Sequence, residues 1–221
     1  MGLLCNASIF SLLVLPIVFL VRGYRIQFRP HIILIILVAL YLIGQSALLY
    51  AVTGPSLLMS SLRHLVKVVG VPLMDLALMD FVLNDSKARK RLLFTDDTGA
   101  ATLVTIWATV DLILFRWFRW YHVMSEPGHD ATNLLSAAEA FLSLVGSLLA
   151  ARRIDKNTFG MDRNGSAIKS GQVTLATVRI GACAFGALLD APSIGLLLYV
   201  FSLLLLRVLF PPTLKTGAKD T

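Results

Sequence analysis

Long apolar runs separated by short polar stretches make up most of the chain. A bilayer span needs about 20 predominantly apolar residues, and seven runs of roughly that length occur. They predict an all-α membrane protein, with a seven-transmembrane-helix bundle in residues 1–210 and a short, disordered polar tail in residues 211–221. The predicted spans are Leu3–Val21, His31–Val52, Leu57–Leu83, Thr98–Arg116, Ala131–Ala151, Gly171–Leu189 and Ser193–Phe210.

The third run is longer than a vertical helix requires. It follows Pro55 and contains Pro72. Proline removes a backbone donor and disturbs the preceding turn, and a long span can tilt, so we expect a tilted helix or a kink at Gly70–Pro72.

Composition supports a membrane protein. The chain is 57% hydrophobic and 15% charged, whereas soluble domains carry roughly 25% charged residues. No segment between the predicted spans is long enough for a soluble domain. The two cysteines, Cys5 and Cys183, lie at different predicted depths, so we interpret them as small apolar side chains rather than a disulfide or metal site.

Basic residues are distributed unequally between the two sides of the predicted bundle. Fifteen of the 20 Lys and Arg residues fall in the loops and tail of one side, while the opposite loops hold only Arg116 and Arg119. Because basic loops stay in the cytosol, we expect a lumenal N-terminus and a cytosolic C-terminus. The same loops could attract anionic membrane lipids or ribosomal RNA.

An aromatic and basic stretch follows the fourth predicted span. Its residues Trp117, Trp120 and Tyr121 are suited to an interfacial belt at the level of the lipid headgroups. A patch for docking a partner is the alternative interpretation.

Ionisable residues inside the predicted spans form the main candidate site. Each costs about 2.5–3.5 kcal/mol or more at a helix centre, so each should have a partner or line a cavity. We expect Asp111 to pair with Arg63 or Lys67, and Glu139 to pair with Arg179. Water-filled cavities or an ion pathway are the alternatives. The structural intramembrane charges are Arg63, Lys67, Asp75, Asp111, Glu139 and Arg179.

Patterns typical of enzymes are missing from the sequence. It has no HExxH, phosphate-loop or GxGxxG motif, and its histidines lack metal-ligand spacing. Asp75 and Asp111 could be considered as a protease pair, but neither has the glycine-flanked GxGD context of presenilin-like enzymes. We expect no enzyme activity, catalytic residue, cofactor or metal, and no DNA partner. A small transporter or channel and a lipid-modifying enzyme remain alternatives.

The segment Ile106–Ile113 carries a more specific pattern. Trp107, Ala108 and Thr109, followed by Asp111 and Leu-Ile, resemble the Trp-Ala-Thr-x-acid-Leu-Ile signature of the transmembrane protein 147 family. Arg153-Ile154-Asp155, at the end of the fifth predicted span, is similar to that family's Arg-aromatic-Asp sequence. The specific likeness covers about 50 of the 221 residues.

That resemblance implies an Aph-1-like seven-helix fold and a multi-pass protein of the endoplasmic reticulum membrane. It also implies a scaffold subunit with nicalin-like and Nodal-modulator-like partners, associated with the Sec61 translocon and with multipass membrane protein biogenesis. Ribosome contact through the basic cytosolic loops is a further expectation. An Aph-1-like protease-complex subunit is the nearest rival, but the family's glycine-rich helix motif is missing.

Overall fold

A computed structural model describes residues 2–54, 56–93, 98–117, 131–155 and 166–209. These residues are almost all helical, and no strand occurs among them. Two π-helical turns, Val66–Gly70 and Leu112–Arg116, and a 3-10 turn, Arg29–His31, interrupt or extend the helices. The helices are α1 (Gly2–Leu13), α2 (Leu15–Gly23), α3 (Ile32–Ala51), α4 (Leu57–Leu65), α5 (Val71–Asn84), α6 (Ser86–Leu92), α7 (Gly99–Asp111), α8 (Ala131–Ile154), α9 (Ser166–Leu188) and α10 (Pro192–Leu209).

Four helical segments among the described residues are long and apolar enough to cross a membrane. They are Arg29–Ala51, Gly99–Arg116, Asn133–Ile154 and Pro192–Leu209, and they match the second, fourth, fifth and seventh predicted spans. The prediction of an all-α fold is therefore confirmed for the described residues, and four of its helices could span a membrane. The first and sixth predicted spans correspond to shorter apolar helices, Ala7–Gly23 and Gln172–Leu188.

The third predicted span differs from the others in containing four charged residues. It is divided into α4, a π-helical turn and α5, and the turn ends directly before Val71 and Pro72. Proline cannot donate the hydrogen bond that a regular helix needs at its position, and a π-helical turn changes the hydrogen-bonding register. The irregularity expected at Gly70–Pro72 is thus present as a widened turn.

Helix α7 lies at the centre of the bundle. Half of its membrane-length window is buried, compared with 17% for the span containing α3. Leu103 and Ile106 are fully buried and belong to one core cluster with Leu34 of α3 and Tyr199 of α10. The apolar residues left exposed on the outer helices face outward, as the hydrocarbon environment of a membrane allows.

Helices α9 and α10 pack closely because glycines face each other. A Cβ atom added to Gly195 would lie 2.6 Å from the carbonyl oxygen of Ala182 and 3.1 Å from Cα of Gly186. Small residues allow such close helix approach in membranes. Between these helices, Asp190 adopts a left-handed backbone conformation with φ of 49°. The Ala191 N–H donates to the Gly186 carbonyl at 2.9 Å, which completes a Schellman-type end to α9.

We predict that Gly195→Ala destabilises the protein by about 1–3 kcal/mol, the usual cost of overpacking a close contact. The matched control is Gly181→Ala on α9, where an added Cβ meets nothing within 4 Å. That control should be neutral or gain up to about 1 kcal/mol from helix propensity. Thermal unfolding of both variants in mild detergent would measure the difference. Equal losses would show that the glycine contact does not set the packing distance.

Candidate functional site

A polar cavity of about 160 Å³ lies between α1–α2, α3, α5, α7 and α8. Its wall combines apolar residues with carboxylate, amide, hydroxyl and guanidinium groups. Such groups are expensive inside a membrane unless they interact with each other or with water. The polar residues that line it are Gln45, Asp75, Asp111, Arg116, Ser143 and Ser147.

Asp75 is the centre of a hydrogen-bonded group that joins three helices. The Tyr41 hydroxyl donates to its Oδ1 at 2.7 Å, and Gln45 Nε2 donates to the same oxygen at 3.1 Å. Tyr41 and Gln45 are four residues apart on α3 and therefore share a face. The Tyr41 ring contacts Trp107 of α7, with centroids 5.3 Å apart. Trp107, a residue of the family-like motif, thus supports the group that holds Asp75.

Asp111 is paired within its own helical segment. Arg116 Nε donates to Asp111 Oδ2 at 2.7 Å, and Arg116 Nη1 donates to the carbonyl and hydroxyl oxygens of Ser136 at 2.8 and 3.0 Å. The prediction that Asp111 pairs with Arg63 or Lys67 is therefore wrong. Residues five apart do not face each other in a regular α-helix, but the π-helical turn Leu112–Arg116 widens the spiral and brings them together.

A second cavity, of about 230 Å³, lies between α4 and its π-helical turn, α9 and α10. We call it the cationic cavity, because Lys67, Arg179 and His64 line it. The guanidinium carbon of Arg179 lies 4.4 Å from the centroid of the Tyr199 ring, within the range of a cation–π contact. Arg179 Nη1 is buried and has no hydrogen-bond partner among the residues that the structure describes.

The predicted pair of Glu139 and Arg179 is also wrong. No ion pair joins them in the described part of the chain, where Arg179 instead contacts Tyr199 of α10. Glu139 is half-buried on α8, between Ala137 and Ala140, which pack toward α1. The pair was predicted from a similar depth in the membrane, inferred from the position of each residue along its helix. Depth does not specify which neighbour a helix face contacts.

A buried ion pair that the sequence analysis missed lies at one end of the bundle. Arg89 Nη1 donates to Asp155 Oδ1 and to the Leu83 carbonyl, both at 2.8 Å. The two charged side chains are 11% and 3% exposed. Arg89 had been assigned to a basic loop, but it belongs to α6, which Asp85 caps through the backbone N–H groups of Lys87 and Ala88. The sequence Arg153-Ile154-Asp155, at the end of the fifth predicted span, is the feature that could have indicated this pair.

The remaining predicted residues have structural surroundings or lie outside the described residues. Thr109 donates to the Thr105 carbonyl at 2.7 Å, and Ala108 lines the polar cavity. Trp117 is 41% exposed, whereas Trp120 and Tyr121 of the expected belt are outside the described residues. Within the described ranges, no cluster of three or more His, Cys, Asp or Glu residues could hold a metal ion.

Comparison with known proteins does not assign the chain. No family profile matches it, and no curated protein matches it significantly.

We predict that Asp155→Asn lowers stability by about 3–5 kcal/mol, because it leaves the buried Arg89 charge without its partner. The double variant Arg89→Leu/Asp155→Leu should recover much of this loss. Arg91→Gln, an exposed change on the same helix, is the control and should have little effect. Thermal unfolding of the four proteins in mild detergent forms the test. A loss in the double variant as large as that in Asp155→Asn, or larger, would contradict the coupling.

Proposed function

We propose that the chain is a non-enzymatic scaffold subunit of an endoplasmic reticulum membrane complex of the nicalin–Nodal modulator type. In this role it associates with the Sec61 translocon and supports multipass membrane protein biogenesis. The proposal includes seven spans, a lumenal N-terminus and a cytosolic C-terminus. It rests on the resemblance of Ile106–Ile113 and Arg153–Asp155 to the transmembrane protein 147 family, and on one observation from the structure.

That observation is the exposure of α4. Every residue of this nine-residue helix is exposed, and Leu57 and Leu58 are 87% and 72% exposed. Helix α4 also carries the exposed Arg63, so it presents both apolar groups and a basic group away from the rest of the chain. Lipid chains alone would leave that basic group unsatisfied. A helix from another subunit, with polar or acidic groups, suits such a face.

The motif residues support a structural role. Trp107 contacts Tyr41, which donates to Asp75, and Asp155 forms the buried pair with Arg89. Two of the residues that carry the family resemblance, Trp107 and Asp155, thus connect helices to each other. Holding a bundle in a fixed shape is what a scaffold subunit requires.

The proposed topology predicts the accessibility of two introduced cysteines. In a background with Cys5 and Cys183 replaced by serine, Ser86→Cys and Ser166→Cys should react with an impermeant thiol reagent only from the cytosolic side of sealed microsomes. The unequal distribution of basic residues is the reason. A cysteine in place of Ser56, before α4, is the lumenal control. Labelling of position 86 or 166 from the lumen would reverse the orientation.

The scaffold proposal predicts stoichiometric partners after purification from native membranes in mild detergent, with nicalin-like and Nodal-modulator-like subunits among them. Arg63→Glu on α4 should reduce their recovery by about tenfold or more, since misplaced charge across an interface costs several kcal/mol. Arg207→Glu, a charge reversal at an exposed position of α10, should leave recovery unchanged. Quantitative mass spectrometry of the purified complexes measures both.

One observation favours a rival function, a small transporter or channel. The polar cavity contains two carboxylates, Asp75 and Asp111, within the bundle, and ion pathways use such groups. If the chain purified alone, and if vesicles containing it passed ions in a manner abolished by Asp75→Asn, the scaffold proposal would be replaced by this one.

A further inference from the structure

The cationic cavity gathers basic side chains from segments far apart in sequence. Lys67 comes from the π-helical turn, His64 from α4 and Arg179 from α9. Asp190 contributes the one acidic group among the described residues lining this cavity, and it is exposed after the end of α9. Basic groups predominate in the wall, and they are placed where hydrocarbon would otherwise surround them.

The Arg179 side chain is held in place, but one of its hydrogen-bonding nitrogens has no acceptor among the described residues. Its contact with the Tyr199 ring fixes the guanidinium group, and a guanidinium offers five N–H donors. Nη1 is buried without an acceptor in the described chain, a situation that normally costs free energy. No ion pair joins Arg179 to Asp75 in the described residues. Asp75 Oδ1 instead accepts hydrogen bonds from Tyr41 and Gln45.

The rest of the cavity is narrow and mostly apolar. Gly186 and Gly195, which bring α9 and α10 together, both line it. Its volume of about 230 Å³ is smaller than the roughly 300–1,000 Å³ of pockets that enclose a whole drug-sized ligand. Lys67 is exposed, so the cavity reaches the protein surface there. It is therefore sized for part of a larger ligand, whose remainder stays outside.

We propose that the cationic cavity binds the phosphate headgroup of an anionic phospholipid, with Arg179 and Lys67 as its ligands. Arg and Lys form charge-assisted hydrogen bonds with phosphate oxygens, and basic pockets between membrane helices bind lipid headgroups. Free phosphate has the same chemistry but no acyl chains. The lipid is favoured because exposed apolar residues follow the lining residues in sequence. Leu65, Leu188 and Leu197 are 59%, 84% and 55% exposed.

This inference needs only the membrane location of the chain and does not depend on the scaffold function. The test uses the purified full chain in phosphatidylcholine micelles, with phosphatidic acid as the lipid probe and inorganic phosphate as the soluble probe. Native mass spectrometry counts bound lipid and gives its Kd. We expect one phosphatidic acid per chain, bound in preference to phosphatidylcholine, with no displacement by inorganic phosphate.

Three variants locate the site. Lys67→Gln and Arg179→Gln should each weaken phosphatidic acid binding by about tenfold or more, the loss of at least one charge-assisted contact. The control is Arg207→Gln, at an exposed position of α10 outside the cavity lining, and it should bind phosphatidic acid as the unchanged protein does. Lys67 is exposed, so Lys67→Gln should fold even if Arg179→Gln does not.

Other results would overturn the proposal. Equal binding of phosphatidic acid and phosphatidylcholine, or equal loss in the Arg207→Gln control, would indicate unspecific adsorption. Displacement by inorganic phosphate would assign the cavity to free phosphate. Unchanged lipid binding in Lys67→Gln, together with loss of a protein partner from the native complex, would assign the cavity to a partner's carboxylate.

Discussion

A membrane interior offers no water to hydrogen-bond polar groups, so the chain must satisfy its own, and the arrangement of this bundle depends on that constraint. Tyr41 and Gln45 from α3 satisfy Asp75 from α5. Arg116 satisfies Asp111 and continues to Ser136 of α8. The contacts of Asp75 and the contact of Arg116 with Ser136 also connect helices to one another. Apolar packing could let the helices slide or rotate, whereas a hydrogen bond to a charged group fixes both position and orientation.

The same constraint identifies the places where the chain is incomplete by itself. Asp75 and Asp111 have partners on neighbouring helices or on their own segment, but Arg179 Nη1 has none in the described residues. Helix α4 likewise presents Arg63 outward with no residue buried. A folded membrane protein tolerates such groups only when something outside the chain meets them. The two proposals, a partner subunit at α4 and a lipid headgroup at the cavity, follow from these two deficits.

Hydropathy predicted the helical membrane class and the four clearest spans, since apolar length is a property of the linear sequence. The pairing of charges needed information that the linear sequence does not contain. Asp111 was matched to Arg63 or Lys67 because the third and fourth predicted spans are consecutive and antiparallel, but the π-helical turn Leu112–Arg116 brings Arg116 to Asp111 instead. Glu139 and Arg179 were matched by depth, but α9 turns Arg179 toward Tyr199. The Arg89–Asp155 pair was not predicted, because Arg89 was taken as part of a basic loop and in fact belongs to the helix α6.

The close contact of α9 and α10 connects stability with the proposed lipid site. Gly186 and Gly195 set the distance between these helices and also line the cationic cavity. Tyr199 is almost fully buried and holds Arg179 from the α10 side, so the guanidinium position depends on that packing. Lys67, by contrast, lies on the π-helical turn through which α4 joins the bundle. A phosphate held by both residues would tie that turn to α9. It would thereby restrain α4, the helix that the scaffold proposal assigns to a partner.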